Sequence, residues 1–470
     1  MSEEQQQEEA FRDRIATVNE KGKRIWVFPK KPKGRFYDRR KILSYFLLAL
    51  IFIGPFIKIG EEPLLMLNII KRKFVIFGQV FWPAEAYLFA LGTIIMVVVV
   101  ILFTLIFGRL FCGWVCPQTI FMEMLFRRIE YAIDGDWTEQ KRLAKMPFKG
   151  VKLRKRLLKW FIFYAISFVI ANFFLMYIIG YEEVFQIITD NPQDHVVGLI
   201  AIVAFSTVFF FVFLSFREQV CTVVCPYGRL QGVLLDKNSM VVAYDYVRGE
   251  KEKGRAKFNK KEDRATTGKG DCIDCGQCVH VCPTGIDIRN GTQLECVNCT
   301  ACIDACDHMM DGVGMDRGLI RFASETQIKE GKKFKWSLKV KAYSAVMTIL
   351  VIVFGILIFT RDDLQTKFQR VRGTTFTKAE NGMITNMFKV NFFNKTNKDM
   401  NIQLEIDGVD AELYIIGDSI IVPKGDHYYG QIMIKADRSV LQRHKTPMNI
   451  KVFANGTLEE TYEISFLGPK

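Results

Sequence analysis

Two cysteine runs lie close together in the second half of this chain and constrain its chemistry more than any other feature. The first run ends at Cys282 and the second begins at Cys296, and each has the spacing C-x2-C-x2-C-x3-C. Three cysteines spaced in this way can wrap one 4Fe-4S cluster, while the fourth cysteine of each run ligates the neighbouring cluster. The spacing therefore predicts two 4Fe-4S clusters in a bacterial-type two-cluster ferredoxin domain.

The crossed arrangement assigns every cysteine of the two runs to a cluster. The first cluster takes Cys272, Cys275, Cys278 and Cys306, and the second takes Cys282, Cys296, Cys299 and Cys302. Paired zinc sites and a disulfide framework are the alternatives, but zinc ligands usually form separated C-x2-C pairs or include histidine. One departure from the ferredoxin pattern is Asp307, which stands where the first run has Pro283. This departure removes no ligand.

The composition indicates a multi-domain membrane protein. Of the 470 residues, 50% are hydrophobic and 13% aromatic, which is more than an ordinary soluble chain of this length carries. Apolar runs that approach the roughly 20 residues needed to cross a bilayer predict five transmembrane α-helices. These runs are 42–59, 87–107, 160–180, 196–216 and 342–359.

The remaining segments divide the chain into domains. Residues 374–470 show period-two alternation, as in Phe388, Val390 and Phe392, which predicts about seven strands in a C-terminal immunoglobulin-like β-sandwich. The complete division is a polar tail at 1–41, a membrane domain with four helices at 42–236, the ferredoxin-like domain at 237–341, a fifth transmembrane helix at 342–359 and the sandwich at 374–470. We assign no function to the tail and expect little fixed structure in it.

Charge asymmetry predicts the orientation in the membrane. The stretch 141–159 carries nine basic residues and no acidic one, whereas 181–195 carries four acidic residues and no lysine or arginine. Positive loops face the cytoplasm, so the N-terminus and the clusters are expected in the cytoplasm and the sandwich in the periplasm of a bacterial inner membrane. The net charge of +14 lies mainly beside helix ends, and we therefore expect no nucleic-acid partner.

A second pair of cysteine motifs lies at the ends of the second and fourth predicted spans. Each has the form C-x3-C-P, with Cys112 and Cys116 before Pro117, and Cys221 and Cys225 before Pro226. Cysteines four apart share one helix face, and the proline favours a break in the helix. Four soft sulfur ligands at one membrane depth indicate a redox or metal role, either as a copper site, an additional cluster or a dithiol.

The motifs together resemble a known family. FWP at 81–83, CGWVCPQ at 112–118, the sequence from Cys221 to Gln231, the two ferredoxin runs and the C-terminal sandwich are similar to the cytochrome oxidase accessory proteins called CcoG or FixG. The resemblance covers nearly the whole chain and implies a cupric reductase that supplies Cu(I) to a cbb-type haem–copper oxidase. It also implies oxidase assembly factors or copper carriers as partners.

The expected mechanism passes single electrons from a soluble electron donor through the two clusters to Cu(II) held near Cys112, Cys116, Cys221 and Cys225. One alternative is a quinol dehydrogenase subunit of the NapH type, which shares the thiol and ferredoxin motifs. The additional outer sandwich favours the oxidase accessory role over this alternative. Another is a non-catalytic factor that docks assembly partners and uses the clusters to sense redox state.

Overall fold

The computed structural model describes residues 17–18, 21, 23–60, 62–69, 73–81, 85–260, 262, 264–331, 336–371, 375–378, 382–396, 398–417, 419–441 and 444–469. Trp82 and Pro83 of the FWP motif, and most of the first 22 residues of the tail, lie outside these ranges. The chain separates into two compact units. One comprises Met1–Pro55 with Gly92–Val351, and the other comprises Phe56–Leu91 with Ile352–Lys470.

The α-helices in chain order are α1 (Arg35–Ile53), α2 (Ala86–Phe107), α3 (Leu110–Trp114), α4 (Pro117–Ile120), α5 (Arg127–Asp134), α6 (Trp137–Lys145), α7 (Val151–Ile179), α8 (Tyr181–Thr189), α9 (Val196–Phe211), α10 (Pro226–Leu234), α11 (Tyr246–Glu250), α12 (Arg264–Thr267), α13 (Gln277–His280), α14 (Ala301–Val313), α15 (Glu325–Glu330) and α16 (Leu338–Phe359). Single π-helical segments occupy Phe121–Phe126, Val212–Phe216 and Val220–Val224, and 3-10 turns occupy Gly54–Phe56, Ile288–Asn290 and Arg438–Val440. Such π segments often occur at functional sites.

Among the described residues, four helices are long and apolar enough to cross a membrane, namely Tyr87–Phe107, Val151–Ile179, Val196–Phe216 and Leu338–Phe359. The predicted span 42–59 is not among them, so the fifth span is not confirmed. Its helix α1 begins earlier than predicted and ends at Ile53, because Pro55 cannot follow within a regular helix. The apolar part of α1 is therefore only about 18 Å long, which is short of the roughly 30 Å of hydrocarbon.

The cluster segment folds beside a small antiparallel sheet. Strand β6 (Val241–Tyr244) pairs with β7 (Ile320–Ala323), and in this register Tyr244 lies opposite Ile320. Val242, Tyr244, Leu319 and Ile320 are buried in one core with Ile303 and Met310 of α14. This core is small, and six of the eight cysteines of the two runs belong to it or pack against it, namely Cys272, Cys278, Cys282, Cys296, Cys302 and Cys306. A core of this kind is expected to depend on its metal groups for stability.

The tail has more structure than the sequence suggested. Residues 25–33 have no regular secondary structure but contact the cluster segment, where the Lys30 amide donates to the His280 carbonyl at 2.7 Å. The carboxylate of Asp304 in α14 accepts from the amides of Phe36 and Tyr37 at 3.1 and 2.8 Å. These two amides lie in the first turn of α1 and have no partner within the helix, so Asp304 stabilises its N-terminus.

The second unit contains the strands of the C-terminal domain and a smaller region before α2. Its strands are β1 (Lys58–Ile59), β2 (Glu62–Pro63), β3 (Leu65–Asn68), β4 (Lys73–Ile76), β5 (Gln79–Phe81), β8 (Leu364–Arg370), β9 (Thr377–Lys378), β10 (Ile384–Asn394), β11 (Met400–Asp407), β12 (Ala411–Ile416), β13 (Ile420–Val422), β14 (His427–Ala436), β15 (Lys445–Ala454) and β16 (Thr457–Leu467).

The predicted β-sandwich is confirmed. One antiparallel sheet has the order β12-β14-β10-β8, with β9 also paired to β10, and the other has the order β13-β11-β15-β16. The alternating residues that predicted the strands fill the core between the sheets, since Phe388, Val390, Phe392, Ile432 and Ile450 are all buried there. The described strands β8 to β16 exceed the predicted number because the short β9 and β13 have too few residues to show a period.

Candidate metal centres

The first predicted cysteine set surrounds one cavity. Cys272, Cys275, Cys278 and Cys306 line it together with apolar side chains that include Met310, Leu319 and Ile320. Cys272 and Cys278 are buried, whereas Cys275 is exposed. Burial raises the pKa of Cys278 and of Cys306 to about 12 each. Without a metal these thiols keep their protons, and binding an iron–sulfur cluster as thiolates requires proton release.

The second predicted set surrounds a neighbouring cavity, lined by Cys282, Cys296, Cys299 and Cys302 with Val242, Ile286 and Ile288. Cys278 of the first set also borders this cavity, so the two sites are adjacent. The fourth cysteine of each run thus lies with the first three of the other run, as the crossed assignment requires. The residues present fit two iron–sulfur clusters, because each cavity offers four thiols in apolar surroundings.

The two cysteine runs share a backbone conformation that the sequence alone did not predict. Asp274 and Asn298 occupy equivalent positions and both have a φ of 52°. Gly276 and Thr300 are also equivalent, and both have a φ of 66°. Left-handed backbone is unfavourable for a β-branched residue such as Thr300, and strain of this kind occurs mainly at functional sites. These turns let three cysteines in each run face one cavity.

Within the described parts of the chain, no three His, Cys, Asp or Glu side chains are arranged to hold a single metal ion. This holds for the membrane-proximal cysteines as well as for the two cluster sets.

The two C-x3-C-P motifs have related local structures. Each follows a candidate span and a residue with positive φ, which is Gly108 at 58° after α2 and Arg217 at 51° after the π segment that extends α9. Each ends with an extended cysteine, Cys116 or Cys225, followed by a proline in the first turn of α4 or α10. Proline is favoured at this position because its missing amide has no helical partner there. The sequence had predicted these breaks.

The four thiols of these motifs lie close enough to act on one another electrostatically. Burial is the main cause that raises the pKa of Cys112 to about 11, and Cys116 and Cys225 add to it. Burial likewise raises the pKa of Cys221 to about 12, with smaller contributions from the other three thiols. The Cys112 thiol donates to Gln231 Oε1 at 3.0 Å. The two motifs therefore lie near each other, although no three of these described side chains are arranged to hold one metal ion. We call Cys112, Cys116, Cys221 and Cys225 the thiol quartet.

The segment that carries Cys112 and Cys116 packs against the loop of the second cluster set. Trp114 Nε1 donates to the Asn298 carbonyl at 3.2 Å, and Gly113 lies directly on the backbone of residues 297–298. Arg109 donates to the Leu294 carbonyl and, from Nε at 3.2 Å, to Gln231 Oε1. Its positive charge acts on both Cys112 and Cys296. The neighbours of Cys112 in sequence, Gly113 and Trp114, are thus in direct contact with the loop that carries Cys296 and Cys299.

This contact predicts the effect of a small substitution. A Cβ at Gly113 would lie 2.3 Å from the Val297 carbonyl oxygen, which is backbone and cannot move aside cheaply. We expect Gly113→Ala to cost about 1–3 kcal/mol of stability. Gly312→Ala is the matched control, because nothing lies within 4 Å of a Cβ there. Equal thermal midpoints in the two variants would refute the contact.

A buried group of charged side chains lies near the thiol quartet in sequence, and the sequence analysis did not predict it. Lys159 Nζ contacts Glu130 Oε1 at 3.0 Å and Asp134, and Arg217 contacts Glu130 through Oε2. Arg127, which is 1% exposed, lies 3.1 Å from Glu123 and 3.8 Å from Glu218. The sequence does contain a signal for this group, because the spacing of Glu123, Arg127, Glu130 and Asp134 places them on one face of a helix.

Comparison with known families identifies three segments. A 4Fe-4S dicluster domain matches residues 216–325, a 4Fe-4S binding domain matches 89–141, and the family described as the IG-like fold at the C-terminal of FixG matches 354–469. The second of these matches includes Cys112 and Cys116.

Two relatives resemble the chain over most of its length. Protein RdxA of Cereibacter sphaeroides is 33% identical over 399 residues, covering 81% of this chain and 82% of the relative. Nitrogen fixation protein FixG of Rhizobium meliloti is 31% identical over 429 residues, covering 83% and 80%. The crystal structure of a FixG-related protein from Vibrio parahaemolyticus matches with 20% identity and a TM-score of 0.20, covering 23% of this chain and 97% of that one.

Proposed function

Since this chain belongs to the FixG family of iron–sulfur electron-transfer proteins, we propose that it is a cupric reductase. It takes single electrons from a soluble donor and passes them through two 4Fe-4S clusters to Cu(II) at the thiol quartet. The resulting Cu(I) serves the assembly of a cbb-type haem–copper oxidase, through copper carriers or assembly factors that act as partners.

The cluster ligands are those of the crossed assignment. Cys272, Cys275, Cys278 and Cys306 hold the first cluster, and Cys282, Cys296, Cys299 and Cys302 hold the second. Each cluster, when bound, takes up and releases one electron. The protein keeps the two sites adjacent through Cys278, which borders both cavities, and excludes water from them with apolar side chains such as Val242 and Ile320.

The proposal is carried by the contact between the segment that holds Cys112 and Cys116 and the loop of the second cluster set. Gly113 and Trp114 touch the backbone between Cys296 and Cys299, so that an acceptor at Cys112 is next to this set. Soft sulfur ligands prefer Cu(I) to Cu(II), and the quartet therefore favours the reduced ion. Arg109 contributes a positive charge beside Cys112 that favours its thiolate form.

The family and the charge pattern support the location in a bacterial inner membrane. The chain is a membrane protein with four candidate spans. We place the N-terminus and the clusters in the cytoplasm, where thiols stay reduced and soluble electron donors are available, and the sandwich in the periplasm. The twelve cysteines all precede α16, and none is paired in a disulfide.

The experiment is to replace Cys112 and Cys116 together by serine and to follow Cu(II) reduction by protein whose clusters were reduced beforehand. Serine removes two of the four soft ligands, and we expect the rate of Cu(I) formation to fall at least about tenfold. Iron content and the visible absorbance of the clusters should stay unchanged, which separates loss of the quartet from loss of the clusters. An unchanged rate would remove these thiols from the reaction.

The match of a 4Fe-4S binding domain to residues 89–141 favours a second candidate, in which the quartet holds a third cluster. Iron analysis separates the two functions. The cupric reductase predicts about eight iron atoms per chain, whereas the second candidate predicts about twelve, of which about four are lost from the Cys112→Ser, Cys116→Ser variant.

The C-terminal FixG-type domain favours the oxidase accessory role over a quinol dehydrogenase, and a quinol oxidation assay in membranes tests this distinction.

A further inference from the structure

A large polar cleft in the first unit plays no part in the function proposed above. Its volume is about 1020 Å³, and it lies between the N-terminal segment around Lys31, the helix α5 with Arg128, and the helix α14. A volume of this order is at the upper end of the range for sites that hold small organic ligands. The cleft is open to solvent on one side and concave, which suits a small molecule better than the flat surface of a protein.

The wall of the cleft is formed by residues adjacent to the cluster cysteines. Gln277 and Val281 immediately precede Cys278 and Cys282, and Asp307 immediately follows Cys306. A molecule in the cleft therefore lies against the backbone that carries ligands of both clusters. The thiol quartet is reached from another side, through the loop at residues 294–298.

The acidic side chains of the cleft are all engaged. Asp304 accepts the amides at the start of α1, and Asp307 accepts the Gly318 amide at 3.0 Å and lies 3.6 Å from Arg35. Asp311 forms a bidentate ion pair with Arg317 at 2.6 and 2.8 Å. Asp136 accepts the amides of Lys31 and Trp137 at 3.0 and 2.8 Å. These interactions hold the four carboxylates in place but leave their charges in the lining, where six lysine and arginine side chains outnumber them by two.

The basic side chains give the cleft a surplus of positive charge. Over the part of the chain that the structure describes, Lys31, Lys33 and Arg128 line the cleft without a carboxylate within ion-pair distance. Arg128 lies instead over the ring of Tyr45 at 5.7 Å. Clefts lined by one sign of free charge concentrate ligands of the opposite sign. Lysine and arginine at a concave site are also the usual partners of phosphate groups.

We infer that this cleft binds a reduced flavin nucleotide, a phosphate-bearing reductant, and that electrons reach the clusters from it. The inference rests on the proposed function for the two clusters. A reduced flavin gives up two electrons one at a time and releases two protons, and each cluster accepts one of the electrons while the protons pass to water through the open side. A hydride donor cannot react in this way, because the clusters accept electrons and not hydride.

The test uses the full-length protein purified without oxygen in detergent. The cleft variant is Lys31→Glu with Lys33→Glu, and the matched control is Lys257→Glu with Lys260→Glu, which changes the same net charge at exposed lysines outside the cleft. We expect the cleft variant to bind oxidised flavin mononucleotide at least about tenfold more weakly and to be reduced by reduced flavin mononucleotide at least about tenfold more slowly. The control should stay within about twofold of the unaltered protein.

Reduced methyl viologen, a cation, serves as the second donor in every sample and should reduce the clusters of both variants normally. If protein reduced by viologen and then freed of excess donor reduced Cu(II) but showed no saturable flavin binding, the inference would be overturned and the proposed function left intact. Equal flavin rates in the cleft and control variants would also overturn it. If only an acidic flavodoxin, and not free flavin, lost its rate in the cleft variant, the partner would be a protein and the small-molecule inference would be wrong. If protein reduced with either donor and freed of it failed to reduce Cu(II), the proposed function would instead be contradicted.

Discussion

Replacing Cys272 and Cys306 together by alanine should remove only one of the two clusters, although the two cysteines belong to different runs. Both line the same cavity, and so the double substitution destroys one site and spares the other. Iron should fall from about eight to about four atoms per chain, with one reduced-cluster signal left in the EPR spectrum. Cu(II) reduction should nearly stop, because one of the two electron carriers is gone.

The matched variant replaces Cys272 and Cys282, which belong to the same run but line different cavities. This variant should lose both clusters and almost all iron. The comparison is informative because each variant removes two cysteines, and Cys272 is common to both. If the Cys272→Ala, Cys282→Ala variant retained about four iron atoms and the Cys272→Ala, Cys306→Ala variant retained almost none, the crossed assignment would be wrong.

Replacing Glu130 by glutamine should have the largest effect on stability outside the cluster domain. Glu130 is 4% exposed and contacts both Lys159 and Arg217. Burial alone would raise the pKa of Glu130, but Arg217 and Lys159 outweigh it and lower the pKa to about 2. The carboxylate is therefore charged at neutral pH, and its removal leaves two buried cations poorly compensated. Losing one partner of such a group costs about 3–5 kcal/mol.

Thermal unfolding in detergent, followed by the loss of helical circular dichroism, measures this effect. The control is Glu139→Gln in the neighbouring helix α6, where the side chain is exposed and the change should stay within about 0.5 kcal/mol. Adding Arg217→Met to Glu130→Gln should restore part of the loss, since it removes a buried cation whose remaining carboxylate, Glu218, lies 4.0 Å away and keeps Arg24 as a partner. Equal midpoints for Glu130→Gln and Glu139→Gln would show that the buried charges do not stabilise the fold.

Local patterns in the sequence predicted those features that local chemistry determines. Cysteine spacing located both cluster segments, and alternation at Phe388, Val390 and Phe392 located the sandwich. The Cys-Pro motifs predicted the helix breaks at Cys116 and Cys225 because a proline restricts the residue before it. The apolar runs gave four of the candidate spans, although the helix Val151–Ile179 extends well beyond its apolar part.

The rest depends on contacts between residues distant in sequence. The packing of Gly113 on Val297 and the ion pair of Glu130 with Arg217 produce no local sequence pattern, because the two partners of each contact are far apart in the chain. The tail looked unstructured because it is short, polar and charged, yet Asp304 and His280 give it hydrogen-bond partners. The predicted first span was wrong in its limits because the apolar run included Pro55, which ends the helix.

The most direct test of the central claim is EPR spectroscopy of protein purified without oxygen, reduced, freed of excess reductant and then mixed with Cu(II). We predict that the signals of two reduced 4Fe-4S clusters disappear together with the Cu(II) signal, as one electron passes to each copper ion. Cluster signals that persist beside an undiminished Cu(II) signal, or a reduced protein without cluster signals, would contradict the account.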